Sequence, residues 1–235
     1  LPLPFSKNSS SWAWIVPVYQ DSLACESLIK QWDRLSHPPT LIIVLANNDP
    51  WAGPVHSNTK KLILLRSELG RGKQLNRGAQ WAQEHGMEWI WFLHADSFNI
   101  EPAWKAVQIA TQEAIEGGCL RFSLPDSQGF WPRSYEFWVH IRSIMGYPYG
   151  DQGYFVNLNS WKQQDGFQEW PLFEDLEWWR RLKKKHRFIY LNTTLGTSAR
   201  RFEKRGWIKS AVRNLTLLCA FTMGISTFRL KKYYT

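Results

Sequence analysis

Glu88-Trp89-Ile90-Trp91-Phe92-Leu93-His94-Ala95-Asp96-Ser97 is the stretch whose reading decides the fold. Glu88–Leu93 is short, rich in Trp, Ile and Phe, and unbroken by any polar residue after Glu88. Such a run predicts a strand buried on both faces, and strands of that kind belong to parallel sheets covered by helices. The run ends in His94, Asp96 and Ser97. Ligands of open α/β sheets gather at the carboxyl ends of strands. A carboxylate there can hold Mg²⁺ or Mn²⁺ against a diphosphate. The plain alternative is that Asp96 caps the next turn and His94 packs on the sheet.

Three more runs of the same kind precede it: Trp12–Val18, Thr40–Leu45 and Lys61–Leu65. Between them, Ser22–Leu35 and Arg71–His85 have helical period. In the second, Leu75, Ala79 and Ala82 share one face. Pro38-Pro39 stops the first helix, and Pro50 to Pro54 marks a loop. This β-α-β-α-β order predicts a three-layer α/β sandwich with a mostly parallel central sheet. Further on, Glu101–Glu116 and Phe173–Lys185 read as helices. Cys119–Leu124, Gly153–Val156 and His186–Leu191 read as strands. Gly206–Phe228 reads as one or two C-terminal helices with a break at Gly224. That last stretch fits either a core helix, the preferred reading, or an amphipathic helix on a membrane surface.

The 235 residues make one large domain, or at most two small ones. No linker splits them. The expected organisation is a flexible segment 1–11 followed by a single domain 12–235. Within it, 12–100 form a nucleotide-binding half, 101–205 an acceptor or catalytic half, and 206–235 the C-terminal helices. Segment 1–11 has no apolar core of the kind a signal peptide carries. The longest charge-free stretch near the C-terminus, between Arg213 and Arg229, has 15 residues, short of the ~20 a spanning helix needs. Cys25, Cys119 and Cys219 are odd in number and far apart, which predicts reduced thiols in a cytoplasmic protein. With 29 basic against 20 acidic residues, the net charge of +9 favours an anionic partner: phosphates, nucleic acid or an acidic membrane. No nucleic-acid reader module is present and the cations are dispersed, so nucleic acid is not expected.

Four other segments carry candidate chemistry. Gly70-Arg71-Gly72-Lys73-Gln74-Leu75-Asn76 opens a helix right after a strand and could cradle phosphate, although it is neither a Walker loop nor a dinucleotide fingerprint. Gly150-Asp151-Gln152-Gly153 suggests a tight turn close to a ligand, or simply a hairpin. Pro171 followed by Glu174, Asp175 and Glu177 is a good helix start, and a carboxylate there could serve as a general base. Thr197 to Gly206 holds Arg200, Arg201, Lys204 and Arg205, either a clamp for a pyrophosphate or a solvated basic loop.

In this order, the segments resemble the family 2 glycosyltransferases, and more narrowly the small bacterial subgroup of radical-SAM/selenodomain-associated transferases. The resemblance runs from Ile15 to the C-terminus. It rests on Gly70-Arg71 to Ala79, Leu93 to Ser97, Gly150 to Gly153, Pro171 to Glu177 and Thr197 to Arg201. It implies a glycosyltransferase A-type fold, a nucleotide-sugar donor and Mg²⁺ or Mn²⁺; the expected acceptor is an unidentified hydroxyl, lipid-linked forms among the candidates. By the same resemblance, Asp96 holds the metal, with His94 where many relatives carry an acid. Asp175, beside Glu174, is the base of an inverting reaction. Arg200 and Arg201 lie near the diphosphate, and Pro17 to Tyr19 pack around the nucleotide base. Arg71, Lys73 and Asn76 complete the donor side. Asp151 and Gln152 are assigned to the acceptor, with Trp178 bordering its cleft.

One departure stands out. The family's acid after the second strand is here Leu45, and the glycines that follow it are Ala46 and Asn47. Leu cannot accept a hydrogen bond from a base, so nucleoside recognition is altered, or Asp49 takes over the contact, or donor binding is lost. The alternative function is therefore a catalytically impaired, glycosyltransferase-like binding protein peripheral to a membrane's inner face.

Overall fold

The computed structural model describes residues 10–54 and 61–234. Of the expected segment 1–11, only Ser10 and Ser11 fall among them. The first half follows the expected order: β1 (Trp12–Val18), α1 (Ser22–Asp33), β2 (Thr40–Ala46), β3 (Leu62–Ser67), α2 (Arg71–Glu84) and β4 (Trp89–Phe92). The second half adds β5 (Ser97–Phe98), α3 (Ile100–Ala110), β6 (Gly117–Ser123), α4 (Phe130–Ile144), β7 (Phe155–Asn157), α5 (Leu158–Lys162) and α6 (Glu174–Lys183). It closes with β8 (Phe188–Thr197), α7 (Arg200–Arg205), α8 (Trp207–Thr222) and α9 (Thr227–Leu230).

The eight strands among the described residues form one sheet, in the order β3-β2-β1-β4-β7-β6-β8-β5. Strands β3, β2, β1 and β4 are parallel neighbours. Beyond β4 the sheet is mixed: β7 runs antiparallel to both β4 and β6, while β6 and β8 are parallel. The chain steps outward from β1 to β3, then returns to place β4 on the other side of β1. That reversal opens a crevice between the carboxyl ends of β1 and β4.

Strand alternation sends Trp12, Trp14, Val16 and Val18 to one face and Ala13 and Ile15 to the other. The first face is covered by α1 and α3, the second by α2 and α6. Trp12, Trp14, Trp89 and Trp91 fill the core as expected. Trp104 of α3 lies edge-on to Trp12 at 4.8 Å and stacked on Trp91 at 5.8 Å between ring centroids. Each such pair is worth ~0.5–1.5 kcal/mol beyond its burial. On the second face, Gly78 lets α2 sit against the strands. A Cβ there would stand 2.5 Å from Ile15 Cγ2.

Four sequence readings need correction. Helix α4 was not foreseen, because its aromatic residues point all round and only Pro132, Val139 and Ser143 are buried. Strand β8 runs six residues past Leu191, and Arg200–Arg205 forms a helix rather than a solvated loop. Helix α8 is not a core helix. Only Ser210 and Leu217 are buried, while Ile208, Val212 and Leu215 are exposed. The break at Gly224 is present, with φ +86°. No helix among the described residues is long and apolar enough to cross a membrane.

Candidate active site

The crevice at the ends of β1 and β4 is where the separated motifs meet. Leu93 still donates to Ile15 O (3.0 Å), and the chain then turns. Ser97 closes that turn: its hydroxyl accepts from His94 N (3.2 Å) and its amide donates to His94 O (3.2 Å). Asp96 is thereby left to face the cavity. Across from it, α2 begins at Arg71 and α6 at Glu174. The buried Gln74 side chain pins α2 to the ends of β1 and β2, donating to Val18 O (2.9 Å) and Val44 O (2.8 Å).

Arg71 is the hub. Its Nε donates to Glu174 Oε1 (2.5 Å), its Nη2 to Asp175 Oδ2 (2.6 Å), and its Nη1 lies 3.3 Å from His94 Nε2. Arginine can only donate, so Nε2 of His94 is the acceptor and Nδ1 carries the proton. Burial, followed by Arg71 and Arg201, pushes the His94 imidazole down to about 3, so it is neutral. A metal could reach Nε2 only by displacing Arg71.

Asp175 accepts from Gly150 N through Oδ2 (2.7 Å) and from Leu176 N through Oδ1 (2.7 Å). Gly150 permits this approach, since a Cβ there would stand 3.0 Å from Asp175 Oδ2. Burial alone would raise the Asp175 carboxyl. Arg71 and the two amides outweigh it and hold the group below the usual carboxylate range. Its neighbour Glu174 is raised by burial against the pull of Arg71. The residue before them, Phe173, has φ +61°, a left-handed conformation unusual for a bulky side chain. Its ring stacks on Phe221 of α8 at 4.7 Å.

These groups line a cavity of about 150 Å³ that gathers Arg71, His94, Asp96, Asp151, Asp175 and Arg201. Arg201 Nη2 is 3.7 Å from Asp96 Oδ2. Burial raises the Asp96 carboxyl, opposed first by Arg201. Asp151 is pushed up to about 6 by burial, against Arg142, and its buried Oδ1 has no hydrogen-bond partner among the described residues.

Other expected site residues lie elsewhere. Trp178 is fully buried, stacked on Phe167 and edge-on to Phe92, so it belongs to the core and does not border the cleft. Gln152 is also fully buried and spends its side chain on Leu120 O, Ser143 and Tyr149 N. Asn76 clasps both backbone groups of Phe167. Lys73 pairs with Glu68 and Glu169, and Arg200 with Asp21 (2.9 Å). Asp49 is only 5% exposed; its oxygens accept from Gln20 N (2.6 Å) and Trp51 N (2.9 Å), fastening the turn after β1. Leu45 is buried in the core. Tyr19 is exposed at that turn, and Pro17, within β1, is half-buried. Sequence reading missed Tyr149, Arg213 and Asn214, all lining the cavity. The last two had a signal, polar side chains set into an otherwise apolar helix.

Among the described residues, no three His, Cys, Asp or Glu side chains are grouped to hold a metal alone. The donor set nevertheless fits a cation shared with a diphosphate, since Mg²⁺ sites often use one or two carboxylates plus substrate phosphates. Asp96, buried with a distant guanidinium as its nearest ion-pair partner, is the residue suited to it.

Asp151→Asn tests this electrostatic picture. The group's folded value of about 6 lies above its ordinary value near 3.9. Its ionised form therefore opposes folding increasingly as pH rises from ~4 to ~6, and fully above that. The variant should be more stable than wild type by roughly 1–3 kcal/mol at pH 8 without added metal, and equal to it near pH 4, as read from urea unfolding.

No family model and no curated protein matches the chain. Solved structures do. S. aureus TarS 1-349 matches with a TM-score of 0.61 at 14% identity, over 95% of this chain and 70% of that one. The mannosyltransferase from Pyrobaculum calidifontis, in complex with GDP-Man and Mn²⁺, matches with 0.55 at 14%, over 88% of this chain and 61% of that one. Glucosyl-3-phosphoglycerate synthase from Mycobacterium tuberculosis, with Mn²⁺, UDP and phosphoglyceric acid, matches with 0.52 at 11%, over 92% and 79%. At these identities the likeness establishes architecture, and the chain has the GT-A fold of nucleotide-diphospho-sugar transferases.

Proposed function

We propose that the chain is an inverting glycosyltransferase of family 2, in the radical-SAM/selenodomain-associated bacterial subgroup, moving a sugar from a nucleoside diphosphate to a hydroxyl. The observation that carries this is the convergence of Asp96, Arg71, Asp175 and Arg201 on one cavity at the sheet's switch point. The fold-level neighbours with GDP-Man or UDP and Mn²⁺ support it.

Asp175 accepts the proton of the acceptor hydroxyl through the remaining lone pair of Oδ1. The hydroxyl oxygen then bonds to the anomeric carbon from the face opposite the diphosphate. The anomeric C–O bond breaks, and the nucleoside diphosphate departs with the electron pair. One in-line displacement inverts the carbon. Arg201 stands where it can meet the departing charge, with Arg71 holding the base in position. A Mg²⁺ or Mn²⁺ held by Asp96 supplies neutralisation of the diphosphate when bound. Arg200, Tyr19 and Pro17 complete the donor side in this reading. Reduced thiols at Cys25, Cys119 and Cys219 accord with a cytoplasmic site of action.

Asp151 favours a second assignment of the base. Its value of about 6 is better matched to proton transfer near neutrality, and its Oδ1 has no hydrogen-bond partner among the described residues.

Thermal unfolding with a panel of nucleoside diphosphates, with and without Mn²⁺, tests donor binding. A ligand at about 100 times its Kd adds ~2.7 kcal/mol, or roughly 5–10 °C for a chain of this size. One nucleotide should give such a shift only with Mn²⁺, and Asp96→Asn should abolish it. If no nucleotide shifts the transition, the substitution at Leu45 has removed donor recognition. The impaired, membrane-peripheral reading then replaces the enzymatic one.

A further inference from the structure

Helices α4 and α8 lie side by side but bury little of each other. Trp138 is 64%, Met145 69% and Leu215 62% exposed, and Trp131, Ile208 and Val212 are exposed beside them. Together they line a groove of about 660 Å³, within the range of ligand pockets at ~300–1,000 Å³. A continuous exposed apolar face of this kind marks an interaction site. Two observations say what occupies it. The groove is continuous with the catalytic cavity: Tyr135, Tyr149 and Asn214 line both. The junction is also cationic. Arg142 lies over the Tyr149 ring at 3.3 Å, and the buried Arg142 Nη1 and Arg213 Nε have no hydrogen-bond partner among the described residues. From Arg200 onward the chain carries nine cations and a single acid, Glu203.

We infer that the acceptor is a lipid with an anionic, hydroxyl-bearing head, whose hydrocarbon chain lies in the α4/α8 groove. The head then rests against Arg142 and Arg213, with its hydroxyl turned toward Asp175. This rests on the sugar-transfer reading and names its acceptor class. A small water-soluble acceptor would use the cavity and leave the groove wet. An amphiphile matches apolar groove, cationic junction and carboxylate in their spatial order.

The probe is lysophosphatidylglycerol, a single-chain anionic lipid with free hydroxyls, titrated below its micelle concentration and followed by tryptophan fluorescence. Wild type should bind it, and glycerol phosphate, the head without the chain, should bind at least 10-fold more weakly. Val212→Asp/Leu215→Asp should weaken lipid binding at least 10-fold, and Trp138→Glu on the facing helix should do the same. The nucleotide-induced thermal shift should persist in both variants. Equal lipid binding by wild type and both variants, or no binding by a wild type that still responds to nucleotide, overturns the inference but leaves the transferase reading standing. A wild-type dimer in sedimentation that both variants split into monomers also overturns it, because the groove would then be a contact between copies. Loss of the nucleotide response in wild type strikes the transferase reading instead.

Discussion

Asp175→Asn is expected to lower the transfer rate at least ~10²-fold while the nucleotide-induced thermal shift survives. Asn preserves the shape of the side chain and can still accept from Gly150 N or Leu176 N, which in the native chain meet the two oxygens of Asp175 at 2.7 Å. What it cannot do is take a proton. The pH profile separates Asp175 from its competitor. Arg71 and the two amides hold Asp175 below the ordinary carboxylate range, so a rate that depends on its ionised form stays level through pH 5–8 and falls only in stronger acid. A rate that depends on Asp151 falls as pH drops through about 6. An undiminished rate in Asp175→Asn, with an acid limb near 6 that Asp151→Asn removes, would move the base to Asp151.

The second large effect is on stability. Arg71→Ala leaves Glu174 and Asp175, with side chains 3% and 6% exposed, side by side without their shared cation. Breaking a buried pair costs about 3–5 kcal/mol. Arg71 is itself 36% exposed, and water can enter its place, so the low end of that range, roughly 3 kcal/mol, is expected. That is a fall of roughly 6–12 °C in melting temperature. The sign with pH follows from the carboxylates. Asp175, depressed by Arg71 in the native chain, contributes stability above its unfolded value, and the variant loses that contribution. The deficit should therefore be full at pH 7 and shrink as acid protonates both groups. Arg71→Lys should recover only part of it, because an ammonium cannot span Glu174, Asp175 and His94 as the planar guanidinium does. Equal urea midpoints for wild type and Arg71→Ala at pH 7 would refute the hub assignment.

How much was legible beforehand depended on whether a signal was local. The strands β1, β2 and β4 were visible because burial on both faces leaves an unbroken apolar run, as in Trp12–Val18; β3, at the sheet's edge and only half-buried, kept an apolar run all the same. Helix α2 was visible because one face packs on the sheet, with Leu75, Ala79 and Ala82 at helical spacing. The same logic hid α4, whose Trp131, Phe137 and Trp138 face outward and carry no inward period. It also misjudged α8, since an apolar helix reads alike whether its apolar side meets a core or an open groove.

By itself the sequence determined the order of elements from β1 to β4, the α/β class and the residue types at the strand end and helix starts, because propensity, periodicity and charge at helix termini act over a few residues. Tertiary structure alone decided which of those residues meet. It joined Arg71 to Glu174 and Asp175 across about a hundred positions, set Asp151 beside them and sent Trp178 and Gln152 into the interior. It also left α4 and α8 flanking an open groove. Such pairings follow from strand order and packing of helices on the sheet, which are long-range properties that no short segment encodes.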